Sequence, residues 1–277
     1  MVFLGAILSR LMVVLLCFVW ATVGMGCQPP SALALDTGLV AIRGYLPSEQ
    51  LPDSLVLLPP PPADGTEATA LDQITNRQSL KLRGTPRWDL AAKDADLSFP
   101  HVAETFACAI AAPITADHTP RLHTLLRRSL IDAGASTGRA KRYYQRSRPF
   151  MVNDAPTCSP LAEDYLRQNG SYPSGHTTIG WTWALILSEI VPERGDAILK
   201  RGQAFGQSRM VCNVHWQSDV LAGFLMGAAV TARLHANSEF QEDVAAARRE
   251  MAAVRAKGLK PLRDCEVEAE ALATTLW

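Results

Sequence analysis

The sequence predicts an all-α fold with a single helical-bundle domain behind an extended N-terminal arm. Hydrophobic residues make up 48% of the 277 residues and charged residues 19%, a globular composition with enough apolar side chain for a large core. From about residue 68 onward apolar residues recur at helical spacing, and no segment shows the strict alternation of a half-buried strand. These patterns indicate helices throughout the folded part of the chain.

The first element, residues 1–34, is predicted to be a signal peptide. Arg10 is followed by sixteen uncharged residues, 11–26, whereas a membrane-spanning helix needs about 20. A small-x-small pattern ends at Ala34, so we expect cleavage there and a periplasmic or secreted protein without stable membrane association. Two alternatives stay open: an uncleaved membrane anchor, and a lipoprotein attached through Cys27.

The arm, residues 35–66, is predicted to be extended because the run Pro59–Pro62 cannot lie inside a helix. Residues 67–257 are predicted to form the helical domain, and 258–277 a C-terminal tail to which the sequence assigns no role. The predicted helices are 68–83, 87–96, 101–112, 119–135, 137–148, 160–168, 175–190, 194–207, 215–236 and 239–256.

One predicted helix contains the uncharged run Val220–Ala232. A helix that is apolar on all sides is either a membrane span or a core helix, and this run is too short to span. Gly223 and Gly227 lie four residues apart, so a neighbouring helix can approach the backbone closely. We therefore predict a central core helix here.

The charge balance restricts the possible partners. Lys+Arg and Asp+Glu number 27 each, whereas a broad nucleic-acid-binding surface would need a basic excess. We therefore expect no nucleic-acid partner, although a small and locally basic pocket is compatible with zero net charge.

Removal of the signal peptide leaves four cysteines, which in an exported protein permit two disulfides in three possible connectivities. None forms a C-x-x-C pair, so we expect neither a zinc site nor a redox motif. The four are Cys108, Cys158, Cys212 and Cys265.

The first of three chemically informative segments runs from Lys141 to Pro149. Lys141 and Arg148 are seven residues apart, which on a helix places both on one face with Tyr144 between them. Pro149 disfavours helix at the preceding residue and so places the guanidinium near a helix end. Taken alone, this segment is more typical of a solvated cationic face than of a binding site.

The second segment surrounds Ser174, a favourable N-cap for helix 175–190. The backbone N–H groups there would present a positive helix end to an anion, and Gly175 would let a phosphate approach the backbone. His176 stands beside this site, within reach of an ester oxygen. The alternative is a capped helix with an incidental histidine.

The third segment includes Arg209, His215 and Asp219. His215 and Asp219 are four residues apart at the start of the predicted core helix, so the carboxylate can accept from one imidazole N–H. That bond fixes the tautomer and leaves a lone pair on the other nitrogen, as in covalent catalysis. A purely structural hydrogen bond is the alternative, although a buried carboxylate needs a partner of this kind.

Together, Lys-x6-Arg-Pro, Pro-Ser-Gly-His and Ser-Arg-x5-His-x3-Asp resemble the signature of the type-2 phosphatidic acid phosphatase superfamily, which includes the vanadium haloperoxidases. Residues 170–177 and 215–220, with Leu57–Pro62 and Pro113–Thr115, look like the class A bacterial nonspecific acid phosphatases. The resemblance covers roughly residues 45 to 250 and implies the helical-bundle fold of that superfamily.

The resemblance implies an exported, metal-independent acid phosphatase that hydrolyses phosphomonoesters with broad specificity and needs no cofactor. His215 would attack phosphorus to form a phosphohistidine, Asp219 would orient it, and His176 would act as general acid and then general base. The residues implied to bind phosphate are Lys141, Arg148, Ser174, Gly175 and Arg209, and possible further pocket residues are Glu104 and Tyr144.

Other functions also fit parts of the pattern. A vanadium-dependent haloperoxidase would use the same phosphate-like site, whereas a phosphate-binding protein without catalysis would not need His176 beside the His215–Asp219 pair. The expected partners are phosphomonoester substrates and inorganic phosphate, and the sequence permits a homo-oligomer. Because Cys158 and Cys212 lie close to the site segments, we expect them to pair.

Overall fold

The structure is a computed structural model that describes residues 42–274 and 276. Within these residues the chain forms helices and no strand, so the predicted all-α fold is confirmed. The predicted signal peptide and its two alternatives lie outside the described residues.

The α-helices are α1 Ser54–Leu57, α2 Glu67–Leu80, α3 Pro86–Lys93, α4 Ala107–Ile110, α5 Pro120–Ser136, α6 Gly138–Tyr144, α7 Pro149–Asn153, α8 Glu163–Arg167, α9 Gly175–Ile190, α10 Gly195–Val211, α11 Gln217–Leu234, α12 Ser238–Ala256 and α13 Cys265–Leu272. The 3-10 helices are Ser48–Gln50, His101–Phe106, Pro160–Ala162 and Pro192–Arg194.

Three helices form the centre of the domain. α9 packs along both α10 and α11, and α5 packs against α9 and α12. Trp183 of α9 is completely buried, and its Nε1 donates to the carbonyl oxygen of Leu126 in α5 at 3.0 Å. Burial of such side chains contributes about 25 cal/mol per Å² of apolar surface, so this layer supplies much of the stability of the fold.

The predicted core helix corresponds to α11. Its Val220, Met226 and Val230 are completely buried, as the uncharged run that contains them predicts. Between residues 42 and 274, every helix is too short or too polar to cross a lipid bilayer.

Gly223 and Gly227 bring α11 against α9. A Cβ atom at Gly223 would lie 2.7 Å from Thr177 Cβ and 2.8 Å from the carbonyl oxygen of Ser174. A Cβ atom at Gly227 would lie 2.9 Å from the carbonyl oxygen of Thr178. Non-bonded carbon atoms pack at about 3.5–4.0 Å, so only glycine permits this approach. The close helix packing predicted from the glycine spacing is therefore confirmed.

The prediction of one continuous helix over 137–148 is wrong, and the error changes the expected placement of Lys141 and Arg148. The chain forms two helices there, α6 and α7, and Gln145 between them has a left-handed backbone with a φ of 43°. Pro149 begins α7 and has no N–H with which to continue the preceding helix. Lys141 and Arg148 therefore do not share a helix face; Arg148 is instead the residue that caps α7.

Other predicted helices differ from the observed ones mainly at their ends. The predicted helix 101–112 is a 3-10 helix followed by the single turn of α4, and the predicted helix 215–236 begins two residues later, at Gln217. The predicted helix 175–190 coincides with α9, because Ser174 caps its first turn and Pro192 closely follows its end.

The predicted arm is largely non-helical where the structure describes it. The run Pro59–Pro62 is not helical, and the hydroxyl of Tyr172 donates to the Pro59 carbonyl oxygen at 2.8 Å. The 3-10 helix Ser48–Gln50 and the short helix α1 interrupt this segment, so its extended character is only partial.

Two disulfides join parts of the chain that are distant in sequence. Cys158 pairs with Cys212, as expected, and Cys108 pairs with Cys265. The second bond tethers α13, which lies within the predicted tail 258–277 and packs against α3. The tail is therefore a folded part of the domain.

We expect Gly223→Ala to lower the free energy of unfolding by about 2 kcal/mol, because the added methyl group overpacks the contact with Thr177. Gly134→Ala in α5 is the matched control, since its nearest neighbour would be Ile179 Cδ1 at 3.9 Å and alanine favours helix. Urea unfolding of both variants measures the difference, and equal stabilities would contradict the packing assigned to α9 and α11.

Candidate active site

The three segments singled out in the sequence meet where α9 and α11 begin. The backbone N–H of Ser174, which precedes α9, donates to the carbonyl oxygen of Asp219 in α11 at 2.9 Å. Arg148 Nη1 lies 3.1 Å from His215 Nε2 and donates to the Val214 carbonyl oxygen at 3.0 Å. These contacts place groups from each segment beside one another.

His215 is held by the first turn of α11. Trp216 is the N-cap residue and Asp219 the third residue of the helix, and Asp219 Oδ2 accepts from the Trp216 backbone N–H at 2.9 Å. The same oxygen lies 3.2 Å from His215 Nδ1. The predicted pair therefore forms, although His215 precedes the helix and the two residues meet through the helix cap rather than along a helix face.

The electrostatic surroundings keep His215 neutral. Burial, followed by the positive charges of Arg148, Lys141 and Arg209, lowers the pKa of His215 well below its ordinary value. With Nδ1–H donated to Asp219, the lone pair lies on Nε2, which faces Arg148. An uncharged imidazole with an oriented lone pair can act as a nucleophile.

Arg146 is a site residue that sequence reasoning missed. Its Nη1 donates to Asp219 Oδ1 at 2.6 Å and its Nη2 donates to Asp72 Oδ2 at 2.8 Å. Arg146 therefore holds the carboxylate oxygen that His215 does not use. The signal was present in the basic run 141–148, but a continuous helix would have pointed this side chain away from Lys141, and the break after α6 was not predicted.

The N-terminus of α9 has the predicted cap. Ser174 Oγ accepts from the Thr177 backbone N–H at 3.3 Å and from Thr177 Oγ1 at 2.9 Å, so its own hydroxyl proton is available to donate. His176 lies half-buried in the first turn, with Nε2 3.0 Å from the Ala95 carbonyl oxygen. Because a carbonyl only accepts, Nε2 carries the proton of the neutral ring and Nδ1 is the basic atom.

The ring of His176 lies in an environment that disfavours its charged form. It stacks on Phe205 with ring centroids 6.3 Å apart. Burial and then the charge of Arg209 lower the pKa of His176 well below its ordinary value. An anion placed beside these groups would oppose that effect and favour the protonated ring.

Three cations converge near the start of α9. Lys141 Cε would lie 3.8 Å from a Cβ atom at Gly175, and Lys141 Nζ donates to the Gly170 carbonyl oxygen at 2.8 Å. Arg209 is buried, and its Nη1 reaches only the sulfur of Cys212, at 3.8 Å. Arg209 Nε has no hydrogen-bond acceptor among the described residues.

Burial shifts the proton equilibria of these cations. Burial, reinforced by the charge of Arg148, lowers the pKa of Lys141 to about 7 and that of Arg209 to about 9. Burial also lowers the pKa of Arg148 to about 10. The nearby carboxylate of Asp219 is already held by Arg146 and His215. The site therefore has a net positive charge and the chemistry to bind an anion.

Among the described residues, neither Glu104 nor Tyr144 forms a hydrogen bond with a residue of this cluster. Tyr144 packs edge-on against Tyr172, with ring centroids 5.9 Å apart. Glu104 accepts through its backbone carbonyl from Arg263 Nη1 at 3.0 Å and lines a cavity that also includes His101. The contacts of both residues are those of packing and loop structure, and their assignment to the pocket stays a prediction.

Comparison with known proteins identifies the family. The model of the PAP2 superfamily matches residues 124–242, which include the three segments. The non-specific acid phosphatase of Providencia stuartii is 47% identical over 212 residues, which cover 76% of this chain and 86% of that protein. The chain belongs to the PAP2 superfamily. The resemblance to the class A nonspecific acid phosphatases, predicted from the motifs, is confirmed.

Two other relatives give the same result. The acid phosphatase of Zymomonas mobilis is 42% identical over 209 residues, covering 76% of this chain and 79% of that protein. The non-specific acid phosphatase of Salmonella typhimurium is 40% identical over 223 residues, covering 80% of this chain and 89% of that protein.

We expect the stability difference between Lys141→Met and the wild type to depend on pH. Unfolded lysine keeps its proton up to its ordinary pKa of 10.5, whereas Lys141 in the folded protein loses it above about pH 7. The charge therefore destabilises the folded protein most below pH 7, and this effect declines as pH rises towards 10.5.

Urea unfolding in chloride buffer between pH 7 and 10 measures this effect. The free energy of unfolding of Lys141→Met, relative to that of the wild type, should be larger by about 1–2 kcal/mol at the lower end of that pH range than at the upper end. In inorganic phosphate the change should be smaller, because a bound anion stabilises the charged lysine. A difference that stays constant with pH would contradict the depressed pKa of Lys141.

Proposed function

We propose that this protein is an exported acid phosphatase that hydrolyses phosphomonoesters with broad specificity, without a metal ion, through a phosphohistidine intermediate. The observation that carries the proposal is the position of His215 between Asp219 and Arg148, beside two further cations. Membership of the PAP2 superfamily and the 40–47% identity to the non-specific acid phosphatases of Providencia stuartii and Salmonella typhimurium support a phosphomonoester hydrolase.

In the first step, His215 Nε2 attacks phosphorus in line with the ester oxygen. The N–P bond forms as the P–O ester bond breaks, and the leaving alkoxide takes a proton from His176. Asp219 keeps the Nδ1 proton of His215 in place and compensates the positive charge that develops on the ring. Arg146 in turn fixes that carboxylate.

In the second step, His176 accepts a proton from water while the water oxygen attacks phosphorus and the N–P bond breaks. Because Nε2 of His176 is bound to the Ala95 carbonyl oxygen, Nδ1 is the atom that gives and takes the proton. A neutral His215 and a protonated His176 are needed together, so activity follows a bell-shaped pH profile, with an optimum on the acidic side.

The cations replace the metal ion that other phosphoryl-transfer enzymes use. Charge in the transition state is spread over the three non-bridging oxygens, and Lys141, Arg148 and Arg209 provide fixed positive groups to stabilise it. The Ser174 hydroxyl and the Gly175 N–H add donors at the positive end of α9. Preorganised charge of this kind accounts for most of the acceleration expected from such a site.

Export is supported by the cysteines and by the predicted signal peptide. The disulfides Cys108–Cys265 and Cys158–Cys212 are of the kind that form and persist in an oxidising compartment. A periplasmic or secreted enzyme, released by cleavage after Ala34, fits both features.

We expect His176→Ala to accumulate a phosphohistidine with p-nitrophenyl phosphate. This good leaving group needs little protonation, so the first step continues, whereas release of phosphate slows by about 10²–10⁴-fold without the general base. Rapid quenching should show acid-labile phosphate on the enzyme together with a burst of p-nitrophenol.

The matched controls are two further histidine variants. His215→Ala should bind no covalent phosphate and lose activity by at least about 10³-fold, whereas His235→Ala, at a partly exposed contact with Glu189, should behave as the wild type. Covalent phosphate on the His215→Ala variant would exclude His215 as the nucleophile, and its absence from His176→Ala would count against the phosphohistidine intermediate.

A second experiment separates the phosphatase from its rivals. We expect the wild type to hydrolyse p-nitrophenyl phosphate, nucleotides and other monoesters at full rate after treatment with a chelator, because fixed cations do the work of a metal. Vanadate should inhibit by occupying the cationic site. Halide oxidation in the presence of vanadate would instead indicate a haloperoxidase, and phosphate binding without turnover would indicate a binding protein.

A further inference from the structure

The C-terminal helix α13 lies outside residues 124–242, which match the PAP2 superfamily, yet it contacts the domain through a specific set of charges. Only Glu268 and Ala271 are buried in α13. Cavities flank the helix on both sides, lined in part by Lys200 and Leu272 on one side and by Pro86 and Val267 on the other. Apolar packing is thus a minor part of what attaches α13, and the disulfide and Glu268 are the principal contacts.

Glu268 belongs to a buried cluster of ionic groups. Its Oε1 lies 3.5 Å from Arg201 Nε, and its Oε2 lies 3.1 Å from Arg263 Nη2. Arg201 also donates to both oxygens of Asp94, at 2.6 and 3.2 Å. Arg201, Asp94 and Glu268 are each at most 5% exposed, so the charges interact with little screening by water.

Glu268 is one of the two carboxylates that Arg201 contacts in this cluster. Arg87 is also buried there, 3.0 Å from the Ser208 hydroxyl, and with Arg263 beside Glu268 the guanidinium groups outnumber the carboxylates. Although burial opposes it, Asp94 and Glu268 together raise the pKa of Arg201. Without Glu268, Asp94 would be the single carboxylate in contact with the buried Arg201 among the described residues, and the loss of one anionic partner disfavours the present geometry of this pair.

Asp94 connects this cluster to the candidate active site in two ways. Its Oδ2 accepts from the Ser208 hydroxyl at 2.6 Å, and Ser208 directly precedes Arg209 in α10. The next residue in the chain, Ala95, provides the carbonyl oxygen that binds His176 Nε2 at 3.0 Å. The orientation of Asp94 therefore affects both a proposed phosphate-binding cation and the proposed general acid.

We propose that α13 is a positioning strap for the active site, in which Glu268 balances the charge of Arg201 so that Asp94 holds Arg209 and the Ala95–His176 hydrogen bond in place. The Cys108–Cys265 disulfide keeps the strap closed. The role of Glu268 rests on the proposed function, since it is defined by the reaction of His176. Glu268 is a positioning residue and touches no substrate.

The test is the pH dependence of kcat/KM for p-nitrophenyl phosphate in Glu268→Gln, which keeps the shape of the side chain and removes its charge. The Ala95 hydrogen bond raises the pKa of His176, so weakening it lowers that pKa. The alkaline limb should then move to lower pH by about half a unit, the value of one hydrogen bond. The maximum of kcat/KM should fall about tenfold.

Three controls separate this role from general stability. Glu268→Asp should restore the alkaline limb, and Glu266→Gln, an exposed carboxylate on the same helix, should match the wild type. Ala271→Gly should destabilise α13 and lower the unfolding temperature of the protein. It should not move the alkaline limb of kcat/KM, because it leaves the charges intact.

The proposed role of α13 would be overturned if the alkaline limb of kcat/KM in Glu268→Gln lay at the wild-type pH, or if Ala271→Gly shifted the limb by the same amount. If the wild-type protein hydrolyses no phosphomonoester, the proposed function is overturned. The contribution of Glu268 to the stability of the fold can then still be measured by comparing the unfolding of Glu268→Gln with that of the wild type.

Discussion

At Gly223 the backbone of α11 lies against Thr177 and the carbonyl oxygen of Ser174, with no room for a side chain between the two helices. This contact joins the beginnings of α9 and α11, and the hydrogen bond from Ser174 N–H to the Asp219 carbonyl oxygen closes it. The N-terminus of α9 and the His215–Asp219 pair are thereby fixed at a short distance from each other. The site depends on this packing because neither helix alone contains both sets of groups.

The second constraint is the burial of like charges. Burial of Lys141, Arg148 and Arg209 lowers the pKa of each, and the charge of Arg148 lowers those of Lys141 and Arg209 further, which opposes folding. The fold tolerates this repulsion because the groups are held by other contacts, such as those of Arg148 to the carbonyl oxygens of Val214 and Leu166. The zero net charge of the chain hides this local concentration. Burying these three cations lowers the stability of the folded protein, and an anion bound among them would relieve that cost.

The parts of the structure that the sequence predicted are those with local signals. Helix 175–190 was predicted without error because its cap, its apolar spacing and the proline after it are neighbours in the chain. The break at Gln145 was missed because a left-handed glutamine has no sequence signal. Arg146 and Glu268 were missed because their partners lie in distant segments, and one sequence does not reveal which distant charges meet. The motif predicts that Lys141 and Arg148 lie close together, and they do, but on two separate helical segments and not on one helix face.

The ion pairs of Arg146 and Arg201 affect the order in which parts of the protein fold. They join positions 74 and 107 residues apart, to Asp72 and Asp94, and the Cys108–Cys265 bond spans 157 residues. Contacts between such distant positions form late relative to local helices, since long loops must close first. A chain made from its amino terminus can form α2 and α3 early, but Asp72 and Asp94 meet their partners only after the segments with Arg146 and Arg201 have emerged. The candidate active site therefore reaches its final arrangement only after these distant segments have met.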